Sequence, residues 1–265
     1  AQVPAATRAA FSQGHAVGDV AQTLYSATHG EGHLLEYDGG LSAALSLTKR
    51  LLADAADTRP LYEATFQHQG ILVRLDVLLR DPAGVHLIEV KSSTSPKPEH
   101  VTDCAIQAWV ARGAGLDFQR ISLAHIDNRF VYRGDGDYRG LLVEHDITSA
   151  VLARQAMVPG WLAAAQTAAA GEQEPDVAPG KRCVTPYECA FMGHCWPAGV
   201  AYPVQSLGGD RELLGSFVAA GIRDLRDVPT EQLTRADHRR IQAVTRAGVP
   251  QLDPAAGEFV RGLSF

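Results

Sequence analysis

No stretch of about 18 or more apolar residues interrupts this chain, which argues against a membrane-spanning helix. The opening residues, Ala1-Gln2-Val3-Pro4, carry neither the basic nor the apolar region of a secretory leader. The chain also opens without Met, as a processed or trimmed piece of a longer protein would. Basic charge is in short supply: 24 Lys and Arg against 30 Asp and Glu leave a net charge of −6. That argues against coating nucleic acid by charge alone, though not against an enzyme using a bound cation and a few local basic groups. Cysteine is scarce too. Of four in 265 residues, Cys183, Cys189 and Cys195 lie close together and Cys104 is remote. Without a leader, such clustering points to metal ligands in a reducing, cytoplasmic setting rather than to disulfides. There are no internal repeats. Apolar residues at 46% and charged residues at 20% suit a globular chain with one sizeable core and an appendage, or two small domains.

Helical spacing of apolar residues predicts helices over 8–29, 41–55, 99–113 and 147–170. Residues 70–79 and 85–91 read as strands joined at Arg80-Asp-Pro-Ala-Gly84, a strong turn signal, and so as a hairpin. Residues 121–126 and 129–132 read as a second strand pair around Asp127-Asn128. The polar stretch 171–181, with Pro175 and Pro179, reads as a linker, and 210–247 as two or three short helices.

The hairpin carries the chemistry. Side chains alternate with period two, so Glu89 and Lys91 share one face while Ile88 and Val90 share the other. With the turn centred between Pro82 and Ala83, the register sets Asp76 opposite Glu89. Two carboxylates and one ammonium then converge in the middle of apolar strands, where charge is costly unless compensated. A divalent cation compensates it, and Mg²⁺ or Mn²⁺ takes carboxylate and carbonyl oxygens plus water. The bland alternative is an inter-strand ion pair of Asp76 or Glu89 with Lys91 or Arg74.

Leu75-Asp76-Val77, the turn, and Ile88-Glu-Val-Lys-Ser-Ser93 resemble the PD-(D/E)XK nucleases, in particular RecB-like and CRISPR-associated exonucleases with an iron–sulfur cluster. Gln13-Gly14-His15 resembles their Gly-x-His region, and Asp103-Cys-Ala-Ile-Gln107 the helix whose Gln faces the active centre. Gly113-Ala-Gly115 followed by Ile121-Ser-Leu-Ala-His-Ile-Asp-Asn128 resembles a bacterial branch of that superfamily. The likeness covers roughly residues 8–200. It implies an α/β restriction-endonuclease-like fold, a mixed central sheet flanked by helices, with a cysteine-bearing lid and a small C-terminal helical region. It implies hydrolysis of DNA phosphodiester bonds, as an exonuclease on single strands or duplex ends. Asp76, Glu89 and the Val90 carbonyl would hold the metal with His15 as an added ligand, Lys91 would act on water or developing charge, and Gln107 would position substrate or water. Asp103 shares the helix face of Gln107, and Glu63 stands as a further acidic candidate. Tyr62 and Trp109 read as core.

Cys183, Cys189 and Cys195 follow a Cys-x5-Cys-x5-Cys pattern, unlike zinc-finger spacing. The resembling family joins three such cysteines to an earlier one around a 4Fe–4S cluster. This chain lacks the early cysteine, which would lie upstream of residue 1. Cys104 reads as a buried thiol, and His194 is another candidate fourth ligand. The expected division is 1–175 nuclease core, 176–200 cysteine-rich lid and 201–265 helix-hairpin-helix-like region, where Arg235, His238, Arg239 and Arg240 would make a basic face. In the resembling family a further exonuclease-like domain often follows, which here would lie beyond Phe265. Two rivals stand beside the nuclease: a non-catalytic DNA-binding or adaptor module of the same fold, and an iron–sulfur redox protein. Strand preference, polarity, endo against exo cleavage, pathway (repair, phage defence or CRISPR-related) and oligomeric state stay open.

Overall fold

The computed structural model describes residues 5–36, 39–252 and 255–263; the opening residues 1–4, read above for a leader, lie outside them. The chain divides into two compact units, Ala1–Ala170 and Gly171–Phe265. No described helix is long and apolar enough to cross a membrane.

The first unit is α/β. In chain order it runs α1 (Ala5–His29), β1 (His33–Leu34), α2 (Gly40–Ala53), β2 (Leu61–His68), β3 (Ile71–Asp81), β4 (Gly84–Lys91), α3 (Pro98–Gly113), β5 (Arg120–Ile126), β6 (Leu142–Asp146), α4 (Thr148–Leu152) and α5 (Val158–Ala170). The strands form one mixed sheet in sequential order. β1 with β2 and β4 with β5 are parallel; the other neighbours are antiparallel. Parallel neighbours need a crossover, and α3 supplies the one between β4 and β5.

The hairpin of β3 and β4 forms where the turn residues demand it. Asp81 pairs with Gly84, and the Ala83 amide donates to Asp81 Oδ1. Gly84 has φ 121°, a backbone setting open to glycine, and a Cβ there would run into the Gln119 side chain. β4 is buried on both faces. Ile88 and Val90 pack with Ala21 and Tyr25 of α1 on one side. Leu87 joins Cys104, Ala105 and Ala108 of α3 and Leu123 of β5 on the other. Each such leucine taken out of water contributes about 2 kcal/mol, so this double burial holds the hairpin's register firmly.

Several elements differ from the sequence reading. Residues 129–132 form no strand; they begin a loop, and β5 pairs instead with β6. Asp127 turns that loop by accepting the Arg129 amide and gripping its guanidinium. The helix expected over 147–170 is interrupted by a 3-10 turn at Gln155–Met157. Pro159, which has no amide hydrogen to donate, sits in the first turn of the α5 that restarts there. β2 was not foreseen as a strand at all.

The second unit contains α6 (Met192–Cys195), α7 (Arg211–Ala219), α8 (Ala236–Ala247) and α9 (Ala256–Arg261), linked by 3-10 turns. Asp210 caps α7 by accepting the amides of Glu212 and Leu213. The cysteine segment and the helical tail are not separate here. Cys183 and Trp196 share one core with Val204, Leu214, Phe217, Leu225 and Leu233. The expected basic face does not form as read. His238 is 1% exposed, Arg235 pairs with Asp237, and Arg239 donates to the Leu233 and Thr234 carbonyls.

Candidate active site

The site is built on the end of the β3–β4 hairpin that lies away from its turn. The paired register runs from Asp81 and Gly84 to Val77 and Ile88, and one further step brings Asp76 to Glu89. There the ladder gives way to a side chain: the Val90 amide donates to Asp76 Oδ2 at 2.8 Å. Glu89 is 6% exposed. Its Oε1 accepts from Lys91 Nζ at 2.6 Å, and its Oε2 accepts from Gln107 Nε2 of α3 at 2.8 Å. The same Lys91 Nζ donates to Asp103 Oδ2 at 2.6 Å. Asp76, Glu89, Lys91 and Gln107 are therefore brought together as the sequence reading expected, and Asp103 joins them.

Asp76 sits where two strands break their alternation. Leu75 and Leu78 of β3, three residues apart, both pack in the α3-side core, while Val77 and Leu79 pack in the α1-side core. β2 does the same, with Leu61 and Ala64 on the first side and Tyr62 on the second. The register places Glu63 opposite Asp76 at this switch, and Glu63 has φ 60°. A positive φ on a residue with a side chain costs roughly 1–3 kcal/mol and clusters at functional sites. The Glu63 carboxylate is held by Arg74 Nε at 3.1 Å. Its nearby charge adds to the forces acting on Asp76.

Electrostatically the two carboxylates are ill at ease. Burial, then the charge of Glu89, raises the Asp76 carboxyl well above the usual carboxylate range. Burial also raises Glu89, against the pull of Lys91. Burial works against the charged form of Lys91, yet Glu89 and Asp103 together push its ammonium above its ordinary range. Cys104 follows Asp103 on α3 and is 2% exposed; burial, then Glu89, pushes its thiol up. It is a core thiol, as read. His100, 4% exposed in the first turn of α3, is lowered by burial and then by Lys91.

Other candidates fall elsewhere. His15 lies exposed on α1, and among the described residues no group of three or more His, Cys, Asp or Glu side chains is placed to hold a metal ion. His15 therefore does not join Asp76 and Glu89: the inward face of α1 is taken by Val17, Ala21 and Tyr25. Tyr62 is buried in the α1-side core, and Trp109 packs against the α3-side core with its ring tilted against His68. Cys183, Cys189 and Cys195 are neighbours: the Cys189 amide donates to the Cys183 carbonyl. Burial, then the thiol of Cys183, raises Cys195. All are free thiols, and His194 is turned to Glu174 at 2.9 Å. The described residues thus do not assemble the four thiolates that a 4Fe–4S cluster takes.

Asp103 was only half legible from sequence. Its spacing from Gln107 put both on one helix face, which the resemblance turned to the active centre, but only the fold shows that Asp103 meets Lys91.

No protein-family model matches this chain, and no curated protein matches it. Among solved structures, one described as the crystal structure of SSO0001 shares 18% identity with a TM-score of 0.22. The match covers 45% of this chain and 56% of that one, so the chain spans little more than half of that structure's length.

Proposed function

We propose that the sheet site hydrolyses phosphodiester bonds in DNA with a divalent cation, as the PD-(D/E)XK nucleases do. The observation that carries this reading is the Asp76–Glu89 pair. A buried Glu89 and a part-buried Asp76 stand opposite one another, both raised in pKa, with the Lys91 ammonium and the Gln107 amide set on Glu89. Such a pair is unfavourable in isolation, and a doubly charged cation offsets it. The donor set suits a hard ion: the two carboxylates and the Val90 main-chain carbonyl, completed by water. When bound, Mg²⁺ or Mn²⁺ would lower the pKa of a coordinated water and neutralise charge on the scissile phosphate.

The chain's own groups divide the remaining work. Lys91, held cationic by two carboxylates, orients the attacking water or faces the charge that develops on phosphate. Gln107 fixes the orientation of Glu89 through Oε2, which makes it a positioning residue for the carboxylate. The substrate class is a DNA single strand or a duplex end.

The test is cleavage of labelled single-stranded DNA by the whole chain, with Mn²⁺ and with chelator, for wild type and Asp76→Ala. Wild type should cleave only with the cation, and the variant should fall by on the order of 10³-fold. Equal cleavage by both would remove the assignment of Asp76. Absence of cleavage by wild type would leave a DNA-binding or adaptor module in place of a nuclease.

A further inference from the structure

Lys91 is gripped from two sides. Its Nζ lies 2.6 Å from Glu89 Oε1 and 2.6 Å from Asp103 Oδ2. The two acids differ in setting: the Glu89 side chain is 7% exposed and that of Asp103 is 46% exposed. Asp103 and Gln107 stand one turn apart on α3, so a single helix face holds the ammonium with one residue and the far oxygen of Glu89 with the other.

This arrangement sets up a competition. A cation that takes Glu89 must draw Oε1 away from the Lys91 ammonium. If Glu89 were the only counter-ion, the half-buried ammonium would be left uncompensated, which costs several kcal/mol. We propose that Asp103 is a positioning residue that keeps hold of Lys91 so that Glu89 can turn to a divalent cation. The inference rests on the cation reading above and deepens it. Asp103 is more open to solvent than Glu89, and it already sits at full hydrogen-bonding distance from the amine. It makes no hydrogen bond to Glu89 or Asp76; beyond the repulsion its charge exerts on Glu89, its hold on the carboxylate pair runs through the lysine.

The experiment is a calorimetric titration of the whole chain with Mn²⁺, at fixed pH and ionic strength. It compares wild type, Asp103→Asn, Asp103→Glu, Lys91→Met and the Asp103→Asn/Lys91→Met double variant. Asp103→Asn should weaken Mn²⁺ binding about tenfold, and Asp103→Glu should recover part of the loss. With Lys91 already replaced by Met, Asp103→Asn should change affinity by less than about twofold, since the pair no longer exists to be coupled. If Asp103→Asn binds Mn²⁺ as wild type does, the proposal is wrong. If the tenfold loss persists in the Lys91→Met background, Asp103 acts on the cation directly and the proposal is equally wrong. Those outcomes leave the nuclease reading intact. Failure of wild type to bind Mn²⁺ at all would sink that reading and this one together.

Discussion

In the sheet unit the buried carboxylate Glu89 has a second carboxylate, Asp76, as its neighbour. In the helical unit the buried amide of Gln242, 1% exposed, donates to the Leu225 and Val228 carbonyls, while its oxygen accepts from Thr230. Arginines reach main-chain carbonyls in both units, Arg80 those of Leu51 and Asp54. In the helical unit Arg239 and Arg246 are spent on main-chain carbonyls. In the sheet unit Arg74 holds Glu63 beside the carboxylate pair. Around Gln242 buried polarity closes backbone hydrogen bonds, which stabilises the fold. The hairpin site gathers like charges, which weakens the fold.

The comparison can be broken most sharply in the helical unit. Gln242→Ala takes this donor from the Leu225 carbonyl and leaves the Val228 carbonyl with Arg246 alone, and should destabilise that unit by about 3 kcal/mol. Gly215→Ala should cost a similar amount, about 3 kcal/mol, because a Cβ on α7 would strike the Pro179 carbonyl. Amide hydrogen exchange should show the loss in residues 171–265 with residues 5–170 protected as before. Loss of protection in both would mean that the two are not separate cooperative units.

An intermediate effect concerns acid. Burial, then the Arg120 guanidinium, lowers His86 from 6.5 to about 4. The fold therefore favours neutral imidazole. That stabilisation is present above pH 6.5 and is lost as the pH falls toward 4. The loss should be on the order of 2 kcal/mol, read as the change in urea midpoint between pH 7 and pH 4.5. His86→Gln should flatten the profile; an unchanged slope in that variant would refute the assignment.

The smallest effect has the opposite sign from most substitutions. Asp76 prefers its protonated form in the fold, so its contribution is lost as pH rises through its raised folded-state pKa. At neutral pH, without a cation, Asp76→Asn should therefore stabilise the sheet unit by about 1 kcal/mol. Adding Mn²⁺ should raise the melting temperature of wild type and not of the variant. A variant less stable than wild type in chelator would show that Asp76 is structural.

Much of the sheet site could be read in advance, and the reasons are local. Asp81-Pro82-Ala83-Gly84 is a turn whose length sets the register, and alternation around Glu89 and Lys91 sets the face. β2 escaped because Leu61-Tyr-Glu-Ala-Thr-Phe66 is buried on both faces and so shows no alternation. The misplaced partner of β5 has a similar cause. Arg129-Phe-Val-Tyr132 has strand-forming residues, yet Val131 and Tyr132 are exposed in a loop, while the true edge strand, Leu142–Asp146, is half polar. His15 was placed near the metal by likeness to a motif, and nothing in its own helix turns it inward. The cysteine segment was read as a separate lid because its spacing was conspicuous; its apolar residues pack with the helices that follow.

By itself the sequence determined the hairpin, the shared face of Glu89 and Lys91 and the α3 face bearing Asp103 and Gln107, because turn chemistry and side-chain periodicity act over a few residues. The tertiary structure alone decided that Asp103 takes hold of Lys91 and that β2 and β3 switch sides at Glu63 and Asp76. Those outcomes depend on how separate elements pack and on how charge behaves once water is excluded, and neither is encoded in any short stretch of chain.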